Sequence, residues 1–297
     1  MLKTLVIGAQ NIDIFAHAES DCTLNDSNSA RIYMAFGGVA CNIVTNIALL
    51  GNKVSFLTVF GNDTFSSPAK TNLQNLSIDI HQSLDVKNER NSIYMAVMDK
   101  DNDLFIGLND MAITDHLNVA FFEEKADFIS GFDLLVLDTN LRQDALEYLL
   151  KTYSDKQLIL DAVSAEKVVK LNGLLQYITL LKLNVRELKA LSDKESVEER
   201  VDDLLNRGLE KILLTNSGNE IIYKSTVEQI NAMPLEVTEI VNTSGAGDAF
   251  LGGFVHGLMH KMSSSQCLEI AKKSAYLTLR SSSSTNTNIS LSEIEKL

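Results

Sequence analysis

Between residues 115 and 215 short apolar runs alternate with helix-length stretches, and no other feature restricts the fold of this chain as strongly. Residues 134–137, 158–160, 178–181 and 212–215 read as strands, while helices are expected at about 115–128, 142–153, 184–192 and 196–207. An unbroken apolar run suits a strand buried on both faces. A helix between two such strands carries the chain back so that they lie parallel. The expected class is therefore α/β, with a mostly parallel central sheet covered by helices on both sides. Polar residues recur just past these strands: Asp138 and Asn140, Asp161, Lys182 and Asn184, and Thr215. Ligands of open parallel sheets gather at that carboxyl edge, so one crevice can collect them all.

The N-terminal part continues the pattern with interruptions. Residues 2–7 read as a buried strand, and Asn11 and Asp13 stand just past its end, where such a pair taken alone is ordinary turn chemistry. Residues 14–36 are rich in Ser, Asp and Asn and lack clear periodicity, apart from a strand expected at 31–36. Gly37 and Gly38 precede a helix in which Ala40, Ile43, Val44, Ile47 and Ala48 follow the spacing of a buried face, with Gly51 as its C-terminal cap. Asn42 and Asn46 lie on another stripe. Two adjacent glycines admit a ligand closely, and Asn42 is suited to bond a sugar hydroxyl. A strand at 54–59 ends in Gly61-Asn62-Asp63, and Pro68 near the start of a helix at 66–75 fits the first-turn preference of proline.

Residues 92–108 read as a hairpin turning at 99–103, a flap inserted in the α/β alternation. Three Asp in that turn lack the rest of an EF-hand loop, so a solvated turn is expected there. Asn184 and Glu187 share a helical face. They are suited either to a helix cap with a solvated carboxylate or to holding hydrated magnesium through water. Short antiparallel strands are expected at 221–223 and 227–230, and a last helix at about 264–280. The polar loop 281–288, which contains Asn286, is suited to border a nucleotide base or to be a mobile surface loop.

The segment with the clearest chemistry is Val241-Asn242-Thr243-Ser244-Gly245-Ala246-Gly247-Asp248. Good helix formers and small residues follow, so the glycines stand where a loop becomes a helix. The amides of Gly245, Ala246 and Gly247 would then be free to hold an anion at a positive helix end. Asp248, just inside the first turn, is suited to take a proton from an attacking hydroxyl, or simply to complement the helix dipole. No G-x-x-x-x-G-K-[ST] occurs, and Phe250 stands where a dinucleotide fingerprint needs its third glycine.

Acidic residues outnumber basic ones, 39 to 26, giving a net charge of -13. That balance argues against a nucleic-acid or anionic-membrane surface and leaves a small ligand in a local basic pocket. Cys22, Cys41 and Cys267 are odd in number and widely spaced, as expected of a cytoplasmic protein with no disulfide or metal-site pattern. No apolar run approaches a membrane span, and residues 1–8 are too short for a signal peptide.

Gly37-Gly38-x-Ala40-x-Asn42 with Gly51 and Gly61-Asn62-Asp63, Lys182-x-Asn184-x-x-Glu187, and Thr243-Ser244-Gly245-Ala246-Gly247-Asp248 resemble, in order and spacing, the motifs of the ribokinase-like (PfkB) sugar and nucleoside kinases. The resemblance spans nearly the whole chain. It implies one three-layer ribokinase-like domain over residues 1–297, with a small β lid from about 14–36 and 82–112. It further implies ATP and Mg2+ as cofactors, Asp248 as catalytic base, and the amides of Gly245, Ala246 and Gly247 as the anion hole. Asn11, Asp13, Gly37, Gly38 and Asn42 would hold a sugar, with Asp138 and Asn140 beside them. Thr215, Gly218, Asn184 and Asn286 would meet the nucleotide, and Glu187 with Asn184 the metal through water.

Within that family, the stretches 94–99, 109–113, 137–141, 161–164 and 179–184 are similar to those of kinases of pseudouridine, which implies phosphorylation of its 5'-hydroxyl. Ribose or adenosine as acceptor, and a non-catalytic ligand-binding protein on the same scaffold, are the rival readings. Three positions depart from the family pattern. Asn242 stands where Asp is usual, which leaves a monovalent cation open; Thr215-Asn216-Ser217-Gly218-Asn219-Glu220 replaces T-x-G-x-x-G; and Ala162 replaces a proline of the subgroup. A homodimer through an apolar lid face is also expected.

Overall fold

The computed structural model describes residues 1–101 and 103–297. In chain order the strands are β1 (Thr4–Ile7), β2 (Asn11–Ala18), β3 (Ala30–Gly37), β4 (Ser55–Leu57), β5 (Val59–Phe60), β6 (Leu84–Asp85), β7 (Ser92–Met98), β8 (Leu104–Asp110), β9 (Leu134–Asp138), β10 (Gln157–Asp161), β11 (Leu180–Asn184), β12 (Lys211–Thr215), β13 (Ile221–Ser225) and β14 (Gln229–Ala232). The helices are α1 (Val39–Leu49), α2 (Ser66–Asn75), α3 (Val119–Glu124), α4 (Ala126–Ser130), α5 (Gln143–Thr152), α6 (Ala165–Val168), α7 (Val185–Leu191), α8 (Val197–Asn206), α9 (Ala246–Met259), α10 (Ser264–Leu279) and α11 (Leu291–Glu295).

Eight strands form the main sheet in the order β14-β13-β12-β11-β10-β9-β1-β4, parallel from β12 to β4 and antiparallel at the β13–β14 edge. Alternate residues of the parallel strands enter different cores. Leu5, Ile7, Leu135 and Leu137 face α3, α5, α7 and α8, while Val6, Leu134 and Val136 face α1, α2, α9 and α10. Burial on both faces is why these strands are apolar throughout. All parallel strands end on one edge, so the polar residues that follow them meet there.

Helices α1 and α9 run side by side under that edge. A Cβ on Gly252 of α9 would lie 2.7 Å from Asn46 Cβ of α1. Glycine costs about 1 kcal/mol inside a helix relative to alanine, so this close approach has to offset that penalty. Helix α1 stops as its sequence predicts. Gly51 has φ +81°, its N–H donates to Ala48 O at 2.8 Å, and Asn52 N–H reaches Ile47 O at 3.4 Å, a Schellman closure.

The second sheet has the order β3-β2-β7-β8, with β2 and β7 parallel and both outer pairs antiparallel. It takes β2 and β3 mostly from the region that lacks sequence periodicity, and β7 and β8 from the expected hairpin. Residues 11–18 and 30–37 are eight-residue strands, because cross-strand pairing rather than one-sided burial sustains them. In-register partners share a face. One face carries Asn11, Asp13, Phe15 and His17 with Gly37, Ala35, Tyr33 and Tyr94; the other carries Ile14, Met34, Ile32, Val97, Ile106 and Leu108.

Three local expectations are corrected. The helix expected at about 115–128 is a 3-10 turn (Ala112–His116) followed by α3 and α4, because Asn118 Oδ1 accepts Phe121 N–H and caps a new helix. The strand expected at 54–59 is split into β4 and β5, because Thr58 N–H donates to Ser83 Oγ. Among the described residues there are also two more helices, the one-turn α6 after β10 and α11 after α10. Strands β7 and β8 pair as the hairpin predicts, but its turn includes Asn102, which lies outside the described residues.

Candidate active site

The site begins at the N-terminus of α9. Gly245 has φ +77°, and a Cβ there would fall 1.8 Å from Ser284 O, so only glycine fits. No side chain caps this helix start. Its first amides therefore face the carboxyl edge with the positive end of the helix dipole behind them. A cation adds to that field. A Cβ on Gly247 would lie 2.9 Å from Lys182 Nζ, so the ammonium rests against the same loop.

Lys182 is buried in β11 and paired with Asp161 Oδ2 at 2.8 Å. Burial opposes its charge, but the carboxylates of Asp161 and Asp248 outweigh that penalty and raise its pKa. It stays cationic beside the bare amides. Uncapped donors and a buried cation form a cradle for negatively charged oxygens.

Asp248 lies in the first turn of α9 and is 9% exposed. Its Oδ2 accepts Asn42 Nδ2 at 2.8 Å, and Asn42 Oδ1 in turn accepts the Thr285 hydroxyl at 3.2 Å. Burial and the nearby Asp161 carboxylate raise its pKa to about 7, against the opposing pull of Lys182 and Asn42. A carboxyl poised there can take up and release a proton near neutral pH.

Asp13 faces the same space from the lid. It is 8% exposed, its carboxyl has no hydrogen-bond partner among the described residues, and burial raises its pKa to about 7. A side chain on Gly37 would collide with it, since a Cβ there would lie 1.9 Å from Asp13 Oδ2. Asn11 Oδ1 is buried with no partner among the described residues. Gly38, at φ +96°, brings the backbone past Ala9 O and Asn11. Cys41 of α1 feels both Asp13 and Asp248, and burial pushes its thiol up to about 12, so it stays a neutral packing group between them. An orphaned amide oxygen and a carboxyl poised near neutrality need a polar ligand to satisfy them.

The chain matches the family model of the pfkB family carbohydrate kinases over residues 1–291. It belongs to that family. This kinase is 27% identical to the pseudouridine kinase of Escherichia coli (strain K12) over 99% of its own length and 95% of the relative's. It is 25% identical to the guanosine-inosine kinase of Exiguobacterium acetylicum over 93% of each chain. The structure of Arabidopsis thaliana ribokinase complexed with ribose and ATP superposes with a TM-score of 0.86 at 18% identity, covering 99% of this chain and 98% of that one. The fold is thus ribokinase-like, and the protein is a phosphotransferase acting on an alcohol acceptor.

The remaining candidate residues of the kinase are spread along the sheet edge. Asp138, fully enclosed, accepts Ala40 N–H at 3.1 Å and Asn140 N–H at 2.8 Å, so it anchors the start of α1. Burial raises its pKa to about 6. Asn140 Oδ1 takes Lys167 Nζ at 2.6 Å. Asn184 and Glu187 form a capping box: the carboxylate accepts Asn184 N–H and Nδ2, each at 2.7 Å, while Asn184 Oδ1 accepts the amides of Arg186 and Glu187. Burial raises the pKa of Glu187. Thr215 ends β12 beside Asn184, and Gly218 turns the next loop at φ +86°. Asn286 is engaged with the end of α10 and with its own loop, donating to Leu277 O at 2.7 Å and accepting Asn288 N–H at 3.0 Å.

Sequence reasoning placed Lys182 at the sheet edge without assigning its charge a task, and it did not single out Thr285. A lone charge inside the run Leu180-Leu181-Lys182-Leu183 signals a buried partner. Nothing in the local sequence marks Thr285.

Proposed function

We propose that this kinase transfers the γ-phosphoryl group of ATP to the 5'-hydroxyl of pseudouridine. The observation that carries the reaction is Asp248, a buried carboxyl with its pKa raised to about 7 beside an uncapped helix start and a buried ammonium. In the step, the bond from the 5'-oxygen to phosphorus forms, the bond to the β-phosphate oxygen breaks, ADP leaves, and the hydroxyl proton passes to Asp248. The amides of Gly245, Ala246 and Gly247 with Lys182 receive the charge of the moving phosphoryl group. Asn11, Asp13 and Asn42, between Gly37-Gly38 and α9, hold the ribose hydroxyls.

Asn184, Thr215 and Gly218 stand on the nucleotide side. Among the described residues no three acidic, His or Cys groups could jointly hold a metal. Glu187 keeps unused lone pairs after its capping bonds, which fits a magnesium ion held through water and ligated mainly by phosphates. Magnesium bound with ATP would supply charge neutralisation there, with Glu187 and Asn184 the residues that would hold its water shell. The residues do not fit a carboxylate-held monovalent cation, because Asn242 turns its Nδ2 toward Ser282 O at 3.3 Å and its Oδ1 toward Ser244 N–H.

A nucleoside is favoured over a free sugar by the lid. Phe15 stands one strand repeat beyond Asp13 on the same face, about 7 Å along β2. Its ring stacks on Tyr33 with centroids 5.1 Å apart, and His17 stacks on Tyr33 at 5.5 Å. A planar base on a ribose bound at Asp13 would extend this column of rings. Likeness to the pseudouridine kinase supports uracil linked through carbon as that base. The opposite lid face leaves Ile32 68%, Met34 54% and Leu108 54% exposed, which supports a homodimer formed through that face, to be tested by sedimentation.

The deciding experiment measures ADP release with Mg-ATP and, in parallel, pseudouridine, uridine, adenosine and ribose. Turnover with pseudouridine alone is the expected result. Preference for ribose would discard the nucleoside assignment and keep the kinase.

A further inference from the structure

We propose that Thr285 is a positioning residue for Asp248, bracing the Asn42 amide so that its NH2 end stays on the carboxylate. This rests on Asp248 acting as the base.

Asn42 lies between two segments that are distant in sequence. Its Nδ2 donates to Asp248 Oδ2 at 2.8 Å, and its Oδ1 accepts Thr285 Oγ1 at 3.2 Å. All three side chains are buried. A donor on the carbonyl end makes the amide NH2 a stronger donor at its other end, which favours the ionised carboxylate that a base requires. Without the hydroxyl, Asn42 Oδ1 is a buried acceptor with no partner. The amide would then relieve its cost by turning away from Asp248.

The brace comes from the loop that also fixes Gly245. Ser284 O packs where a Cβ of Gly245 would stand, and Ser283 Oγ accepts Thr285 N–H at 3.5 Å. The same loop is tied to the approach of α9 by Asn242 Nδ2, which donates to Ser282 O. Base orientation and anion-hole shape therefore depend on one segment, 282–285.

The other groups that face Asp248 keep their places when Thr285 is changed. They are Asp161 at the end of β10, Lys182 on β11, Asp138 at the end of β9 and Cys41 on α1. Asn42 is the neighbour whose hydrogen bond Thr285 controls. Loss of that bond disfavours the carboxylate and raises the pH needed to ionise it.

The test is the pH dependence of kcat in Thr285→Val, Thr285→Ser, Asn42→Ala and the Thr285→Val/Asn42→Ala double variant, with Asp248→Asn alongside. Thr285→Val should move the acidic limb up by about half to one pH unit, with KM values changed less than about threefold. Thr285→Ser should restore the limb. Asn42→Ala should move it in the same direction, and adding Thr285→Val to Asn42→Ala should move it no further. A uniform loss at every pH that serine does not rescue would overturn the proposal, as would additive shifts in the double variant. Should Thr285→Val fold poorly, the serine and Asn42→Ala profiles still decide: an unshifted limb in Asn42→Ala refutes the relay. Turnover retained in Asp248→Asn would instead refute the base assignment beneath it.

Discussion

Asn42 and Asp248 are 206 residues apart in the chain, and a 2.8 Å hydrogen bond joins Asn42 Nδ2 to Asp248 Oδ2. The bond spans the first turns of α1 and α9, which Gly252 and Asn46 hold in close contact further along. A residue assigned to the sugar and a residue assigned to the proton are therefore one unit, and the spacing of two helices sets their geometry. Disturbing that spacing should reach the chemistry.

Asp248→Asn keeps the size and the neighbours of the side chain but cannot accept the proton. The expected outcome is a fall in kcat of about a thousandfold with nucleoside affinity changed less than about fivefold. Single-turnover phosphorylation alongside equilibrium binding separates the two quantities. Near-normal turnover would remove Asp248 from the base role.

Gly245→Ala places a methyl group on Ser284 O in a left-handed backbone. It should cost about 2 kcal/mol in stability and reduce kcat by at least about tenfold, because loop 282–285 must move away from the helix start. Urea unfolding and steady-state rates report the two effects. Gly51→Ala, at a similar φ but in open space, should cost only about 1 kcal/mol and leave kcat unchanged.

Gly252→Ala tests the helix contact. Alanine gains about 1 kcal/mol of helix propensity, but its Cβ would lie 2.7 Å from Asn46 Cβ and 3.2 Å from Ile43 O. Both neighbours are anchored in α1, so overpacking of about 2–3 kcal/mol should win and the variant should unfold at lower urea concentration. A more stable variant would mean that α1 and α9 slide freely.

Burial raises the pKa of Asp13 from 3.8 to about 7. Between those values the folded chain retains a proton that the unfolded chain has released. This contribution to stability is therefore full below the unfolded value and lost as pH rises through about 7. Asp13→Asn removes it, so wild type minus variant stability should fall steadily from about pH 5 to pH 8. The subtraction cancels His256, whose burial lowers its pKa to about 4 and acts in the opposite sense. Unfolding curves at four pH values would show the trend; a flat difference would mean that Asp13 is not held neutral.

Phe15→Ala should raise KM for a nucleoside by about tenfold and leave any ribose phosphorylation within about twofold, since stacking on a base is worth about 1–3 kcal/mol. Equal effects on both acceptors would place the base elsewhere.

The architecture was legible where burial is periodic. Continuous apolar strands separated by amphipathic helices specify a parallel sheet, and the residues past the strand ends mark its functional edge. The lid was not legible in the same way. Strand β2 begins only three residues after β1 and pairs in parallel with β7, whose partners lie some 80 positions on in register, Asn11 with Ser92. Its alternation mixes polar, aromatic and aliphatic residues on two faces that are both buried or partly buried, so no single period stands out.

The alternation that makes the sheet, the Gly245-Ala246-Gly247-Asp248 turn into α9, and the glycines that let backbones approach are all written in short stretches of the chain. These depend on conformational preference and local burial, which a few adjacent residues express. Packing across the fold is what pairs Lys182 with Asp161 while resting it against the Gly247 loop, spends Asp138 on the amide of Ala40, and sets Thr285 on Asn42 opposite Asp248. Those are hydrogen bonds and ion pairs between segments that share no local pattern. Their existence depends on how closely the packed helices and loops bring the segments together, and a hydroxyl or an amide looks the same in sequence whether or not a partner arrives.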